Sequence, residues 1–452
     1  MKTKLLAILA TSLISVTALT GCNKQQDDPS KLTIAVVGDT TERNIIMNFI
    51  RGYKSIEGNE NKKISVIAID NYDNYIFNTM ADPNGKLADI IQVFDSTCTY
   101  YARGNIDGAG HGILRSITPY MERDRINESD YVASSIELTK CKVPGQTNDQ
   151  MYWVPRDYNK VVVAYNKTMF EAAGITERPS DNWTWSEFVS VCQTLKDHKA
   201  DITTSSVFYP VDMNLNFQAV FYPELESYGG KLITDDGKHC FSDMEIAKSS
   251  WNKLLQMVVD GLAAPADGKL PFASKQAAMM FIVRPDLPSY ASSIGDRNID
   301  FFSLPKLDDL GEGATSYIGM GATGYGMTTH CAKNKRDFAW DFLKYIISVD
   351  GQNVFSKLGS GVPCLKSLLN DENAEFRKYL SPSLNHDAFV KFPERDLYAA
   401  SYLDNLTPNK QAGVYKVVTD HALHDFLRAT DSGFAIKTEY YARFKEFVEA
   451  QL

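Results

Sequence analysis

Three short segments near the start of the chain decide the fold: KLTIAVVG (31–38), KISVIAID (63–70) and LADIIQVF (87–94). Each is a run of β-branched and aliphatic residues of strand length, and the first ends in a glycine. Between the first two, Glu42–Tyr53 sets Ile45, Ile46, Phe49 and Ile50 at helical spacing. Strand, helix, strand, helix, strand predicts a parallel or mixed sheet covered by helices. In such sheets ligands sit at the C-terminal ends of the strands, which sets Gly38, Asp39, Thr40, Phe94 and Asp95 beside a crevice. No GxGxxG or GxxxxGK run follows Gly38, so the crevice carries no nucleotide signature.

The same alternation continues outward. VVVAYN (161–166) and AAMMFIV (277–283) read as further buried strands, and Tyr325–Thr329 as a candidate for one more. Thr168–Ala173 reads as a short helix closed by Gly174. Thr184-Trp185-Ser186-Glu187 is a capping box ahead of Phe188, Val191 and Leu195, and Ser242-Asp243-Met244-Glu245 opens another helix in the same way, ended by Gly261. Phe338, Phe342, Leu343, Ile346 and Ile347 line a third amphipathic helix. YWVPRDY (152–158) reads as an aromatic-rich loop or short strand.

The chain has 452 residues, enough for two to four domains with sizeable cores. Its net charge is -9; without residues 1–21, which carry only Lys2 and Lys4, 45 basic residues face 56 acidic ones, or -11. That field repels phosphate backbones and no basic block overrides it, so nucleic acid is not an expected partner. The first residues, MKTKLLAILATSLISVTALTGC, combine a short basic start, an apolar run too short to span a bilayer, small residues and Cys22. This is similar to a bacterial lipoprotein signal: cleavage before Cys22, a diacylglycerol on its thiol, and a polar tether over 22–30. Acyl chains anchor stably when more than one is attached. The expected place is the cell membrane, facing the periplasm or the outside. Of the six remaining cysteines none lies near another in sequence, so neither a CxxC redox pair nor a zinc ribbon is present; buried thiols and disulfides both stay open.

Catalytic signatures are missing: the sequence holds no HExxH, G-x-S-x-G or P-loop. His421 and His424 stand three apart on an expected helix, too few ligands for a metal, and no cofactor is expected. The aromatic residues say more. Tyr152, Trp153, Tyr158, Tyr222, Tyr317 and Tyr325 fall outside apolar stripes. Rings cover the C–H face of a sugar while charged and amide groups bond its hydroxyl rim. The candidate ligand set is therefore Asp39, Asp95, Trp153, Arg156, Tyr158, Tyr222, Arg284 and Tyr317, with Asp157 a further polar partner; Trp183 and Trp185 are expected to pack the start of a helix.

At this point a resemblance covers most of the mature chain. YNKTMFEAAGITERPSDNWTWSEFVSVCQTLK (165–196), YGGKLITDDGKHCFSDMEIAKSSWNKLLQMVVDG (228–261), FASKQAAMMF (272–281), IDFFSLPK (299–306) and the stretch 324–367, in that order, resemble extracellular solute-binding proteins of family 1, the carbohydrate-binding lipoproteins of ABC importers. Residues 102–121 match more loosely. The sequence departs from the family at Gln276, where many members carry glycine, and at Arg284-Pro285, where many carry tryptophan. The resemblance implies two α/β lobes of the periplasmic-binding-protein type II fold around a ligand cleft: lobe one at 31–160 plus 281–322, lobe two at 161–280 plus 323–452, crossing near Val161, Met280 and Gly321. It implies a monomer that closes on a sugar or oligosaccharide and presents it to membrane permease subunits, without catalysis. A polyol, sugar phosphate, peptide or other small solute is an alternative cargo; a secreted carbohydrate-active enzyme and an adhesive surface lipoprotein are the alternatives of another class.

Overall fold

A computed structural model describes residues 28, 30–81, 85–104, 112–143, 145–177, 179–266 and 269–452. The signal, its cleavage site and Cys22 lie outside the described residues. The three opening segments form the strands Lys31–Val37, Lys63–Ile69 and Ile90–Phe94, paired in parallel with Lys31–Val37 in the middle. The helix Thr40–Lys54 follows the first strand and buries Ile45, Ile46, Phe49, Ile50 and Tyr53. Two antiparallel strands, Thr323–Met327 and Val154–Pro155, complete a five-stranded sheet.

A second sheet runs in the order Ile299–Ser303, Val162–Asn166, Ala277–Ile282, Tyr209–Asp212. Its two central strands are wholly buried, which explains their uninterrupted apolar sequences. Each sheet has its own apolar cluster. Phe49, Val93, Trp153, Tyr325 and Trp340 belong to the first, and Phe188, Trp251, Phe302, Phe426 and Phe444 to the second. A three-stranded sheet, Asp396–Tyr398, Ile318–Gly321 and Asn159–Lys160, runs where the chain passes from one cluster to the other.

These pairings differ from the expected division at two places. Ile299–Ser303, expected with the first lobe, pairs along Val162–Asn166 in the second sheet. Thr323–Met327, expected with the second, pairs along Ile90–Phe94 in the first. The reason is the position of the crossing: the chain stays with the second sheet until Ile318 and returns to the first at Thr323.

The helix signals act as expected with one shift. Thr184 and Glu187 form the capping box of Trp185–Asp197, with Glu187 N–H to Thr184 Oγ1 at 3.2 Å and Thr184 N–H to Glu187 Oε2 at 2.7 Å. The helix Met244–Val259 is capped by Asp243, not Ser242, whose hydroxyl instead accepts from Lys231 N–H. The helix Pro408–Asp420 ends before His421, so the two histidines do not share its face; both meet Asp425. Cys141, Cys192, Cys240, Cys331 and Cys364 are buried and unpaired, so the open choice between thiols and disulfides falls to thiols for these five. Among the described residues no helix is long and apolar enough to cross a membrane, and no group of three His, Cys, Asp or Glu is arranged to hold a metal ion.

Candidate functional site

The crossing strands floor a cleft. At its centre is a hollow of about 420 Å³. One wall is Phe94-Asp95-Ser96-Thr97, at the C-terminal end of a first-sheet strand, where ligands gather in open α/β sheets. The opposite wall is Phe217-Gln218-Ala219, the start of the helix Gln218–Ser227, together with Tyr415 on Pro408–Asp420. Asn159 and Gly319–Thr323 form the floor. The approach there is close: a Cβ on Gly319 would lie 1.9 Å from the Ala219 carbonyl oxygen, so only glycine lets the crossing strand reach that helix.

Two further hollows open off this one. The first, about 420 Å³, shares Asp73, Ser96, Thr97 and Tyr415 with it and adds Tyr100, Tyr101 and Gln411. The second, about 520 Å³, shares Asp95 and Met320 and adds Arg103, Lys140, Asp396, Tyr398 and Asp404. Tyr100 and Tyr101 belong to the first apolar cluster and Phe217 and Tyr415 pack on the second, so the cleft lies between the two cores. The central hollow, lined by rings, carboxylates and side-chain amides and, among the described residues, by no cation, suits an uncharged, hydroxyl-rich solute.

Of the eight candidate ligand residues, the structure puts Asp95 in the cleft wall and the other seven elsewhere. Asp39 is exposed and caps the helix Thr40–Lys54, accepting from Glu42 N–H at 2.7 Å. Trp153 is wholly buried, against Gly324. Arg156, also buried, pairs with Glu42 through both terminal nitrogens and lies 5.1 Å from the Phe355 ring centre. Tyr158 donates to Asp396 from within the first core. Tyr222 donates to Glu226 at 3.0 Å and sits edge-on to Tyr402. Tyr317 is half-buried, its N–H on Ser227 Oγ at 2.8 Å. Arg284 is fully buried. Its Nε donates to the Gly359 carbonyl at 2.8 Å and Nη2 to the Phe376 carbonyl at 2.7 Å, and Nη1 lies 2.9 Å from His386 Nδ1. Its neighbours Val283 and Pro285 line the cleft.

The shared cause is tertiary. YWVPRDY carries polar residues because their partners lie far away in the chain, not because they face solvent. Of the rings in the central hollow, Phe94 ends a strand the sequence marks, whereas Phe217, which precedes the helix Gln218–Ser227, and Tyr415, on Pro408–Asp420, have nothing local to mark them. Trp183 packs as expected, its indole N–H donating to the Ser303 carbonyl at 2.7 Å.

Electrostatics single out the crossing. Burial pushes the Asp95 carboxyl up to about 7, against the pull of the Ala322 and Ser96 N–H groups. Asp157, beneath it, is raised by burial to about 6, with Arg156 opposing. Asp157 accepts from Thr323 N–H at 3.0 Å and from Asn159 Nδ2 at 2.7 Å.

A family model described as bacterial extracellular solute-binding protein matches residues 60–353. Compared by sequence with curated proteins, the chain matches none. Its fold is similar to UgpB from Mycobacterium tuberculosis, solved with glycerophosphocholine (16% identity, TM-score 0.71, covering 93% of this chain and 98% of that one). It is similar as well to a cyclic alpha-maltosyl-1,6-maltose binding protein from Arthrobacter globiformis (17%, 0.66, 94% and 99%). A third is maltose-bound MalE3 of T. maritima (13%, 0.65, 93% and 100%). The architecture is thus the two-lobed, periplasmic-binding-protein-like fold.

Proposed function

The chain belongs to the bacterial extracellular solute-binding proteins, which bind their solutes without transforming them, and from that premise we propose that it captures a carbohydrate in the cleft at Asp95 and hands it to the permease of an ABC importer. The observation that carries the reading is the cleft itself, walled by Phe94–Thr97 from one core and by Phe217–Ala219 and Tyr415 from the other. A solute touching both walls binds the closed state better and shifts the population toward it. We assign the first lobe to about 31–158 and 323–390 and the second to about 161–317 and 399–452, with crossings at 159–160, 318–322 and 391–398, following the strand pairings and the two cores.

The neutral-sugar reading is favoured over a phosphodiester by the charges. The central hollow has Asp73 and Asp95 and, among the described residues, no cation in its lining; in the second, Arg103, Lys140 and Lys142 stand among Asp95, Glu137, Asp149, Asp396 and Asp404, and Lys140 is paired with Glu128 and Glu137. The test is a thermal-shift and calorimetric screen of the chain from Asn23 against mono- and oligosaccharides, polyols and glycerophosphodiesters. A ligand that binds only the native state raises its apparent stability by mass action. A saturable shift with a sugar recovered unchanged is the expected result; a shift with glycerophosphodiesters alone replaces the cargo, and a sugar that is cleaved overturns the reading.

The protein acts as a monomer held to the membrane through acylated Cys22. Cys22→Ser in the full chain is expected to move it from the membrane fraction to the medium or to leave its signal uncleaved; unaltered lipid labelling overturns the anchor.

A further inference from the structure

Asp95 has two roles in the geometry. Its Oδ2 accepts from Ala322 N–H at 3.0 Å, and its own N–H donates to the Ala322 carbonyl at 3.3 Å. Ala322 is the single residue between Ile318–Gly321 of the connecting sheet and Thr323–Met327 of the first sheet. The next amide, Thr323, is held by Asp157. Two carboxylates thus grip two successive amides at one lobe crossing. The fit is tight, since a Cβ on Gly321 would fall 2.3 Å from Asp95 Oδ2. The same Asp95 lines two of the three hollows.

Resting on the solute-binding reading above, we propose that Asp95 couples the solute to the hinge: Oδ2 holds the crossing at Ala322, Oδ1 is the acceptor for a solute hydroxyl, and the proton state of this one carboxylate governs both. Oδ1 already takes Ser96 N–H at 2.6 Å and keeps a lone pair for a second donor. A carboxylate accepts more strongly than a carboxylic acid, so the ionised form both tightens the crossing and binds the hydroxyl.

The surroundings keep that proton available. The Asp157 carboxylate opposes ionisation of Asp95. Across the hollows, Asp73 faces from the helix Tyr72–Ala81, and Asp404 and the phenol of Tyr415 from the C-terminal segments, while the buried Tyr402, which donates to Gln218 Oε1, feels the Asp95 charge from the second core. Asp396 is held by Lys160. The cations on that side are Arg103, whose Nε donates to the Lys142 carbonyl, Lys142 itself, and Lys140, which pairs with Glu128 and Glu137; Asp149 joins them at the rim.

The direct test needs no ligand. In protein carrying ¹⁵N-alanine, the Ala322 amide is expected to titrate between pH 5 and 9 with a midpoint near 7, to lose the titration in Asp95→Asn, and to keep it in Asp157→Asn. An Ala322 amide that does not move, that titrates near 4, or that titrates unchanged in Asp95→Asn overturns the proposal. With the sugar identified by the screen, affinity is expected to rise severalfold from pH 6 to pH 8 in the wild type. In Asp95→Asn it is expected to be flat and about tenfold weaker at pH 8, the scale of one charge-assisted hydrogen bond. Gly321→Ala, which displaces the carboxylate without changing it, is expected to weaken binding in the same way. If the wild type binds sugar and Asp95→Asn binds it equally with the same pH dependence, the coupling is wrong while the solute-binding reading stands. A protein whose Ala322 titrates yet binds none of the screened solutes overturns the coupling and that reading together.

Discussion

Arg284 and Asp95 both carry a charge into the interior, and the structure treats them in opposite ways. Arg284 ends in a fixed cage. Two carbonyls and His386 Nδ1 take its donors, and the Phe389 ring centre lies 5.0 Å away. His386, held near 4 by burial and by Arg284, stays neutral at physiological pH and passes its other nitrogen to the Ser381 carbonyl at 3.0 Å. Nothing in that cage is free to respond to a solute. Asp95 has backbone N–H groups for partners, a like-charged neighbour and an open side on the cleft. A buried charge with each of its three nitrogens bonded to a fixed partner fastens one part of the chain to another. A carboxylate left half-matched at a crossing between lobes can still exchange a proton or accept a ligand.

The largest effect that bears on this contrast comes from removing the cage's charge. Arg284→Leu leaves the Gly359 and Phe376 carbonyls without their donor, and the site is too buried for water to replace it. The expected loss is about 3–5 kcal/mol of unfolding free energy, the range for stranding buried polar partners. Denaturant unfolding measures it, and any folded fraction is expected to bind solute with unaltered affinity. A variant as stable as wild type, or one that folds normally and has lost its ligand, would return Arg284 to the cleft and erase the distinction.

Much of the frame was legible because it is local. The three opening strands, the first helix, the Thr184–Glu187 box and the Gly261 helix end follow from residues within a few positions of each other. Asp95 was legible for a topological reason, since it ends a parallel strand. The other candidates are placed by contacts between distant parts of the chain. Glu42 meets Arg156, and Asp396 meets both Tyr158 and Lys160. Nothing near YWVPRDY announces those partners, so its rings and charges resemble an exposed binding loop. Two strands pair otherwise than the expected lobe division for a related reason. Residues 299–303 and 323–327 are both plausible strands, and only pairing tells which sheet receives each. The third crossing, at Asp396–Tyr398, has no sequence signal of its own.

The smallest effect, and the one that sharpens the contrast most, is on stability against pH. Asp95 is raised to about 7 in the folded protein, whereas in the unfolded chain an aspartate titrates near 3.9. Between those values the folded state holds a proton that the unfolded state has released, so stability falls as pH rises through about 7. His386 acts with the opposite sign: lowered to about 4, it costs stability as pH falls below the ordinary histidine value. Its window closes near 6.5, which leaves pH 6.5–8.5 for reading Asp95. Glu224, raised to about 8 by burial, titrates there as well but is common to wild type and variant. The quantity to measure is therefore the melting temperature of Asp95→Asn minus that of wild type. It is expected to be more positive at pH 8.5 than at pH 6.5, because only the wild type must ionise a desolvated carboxylate. Asp157→Asn, whose group is raised only to about 6, is expected to show the same trend displaced to lower pH and smaller in this window. Parallel curves for Asp95→Asn and wild type would mean that Asp95 is ionised throughout, as firmly settled as Arg284, and the contrast between the cage and the crossing would collapse.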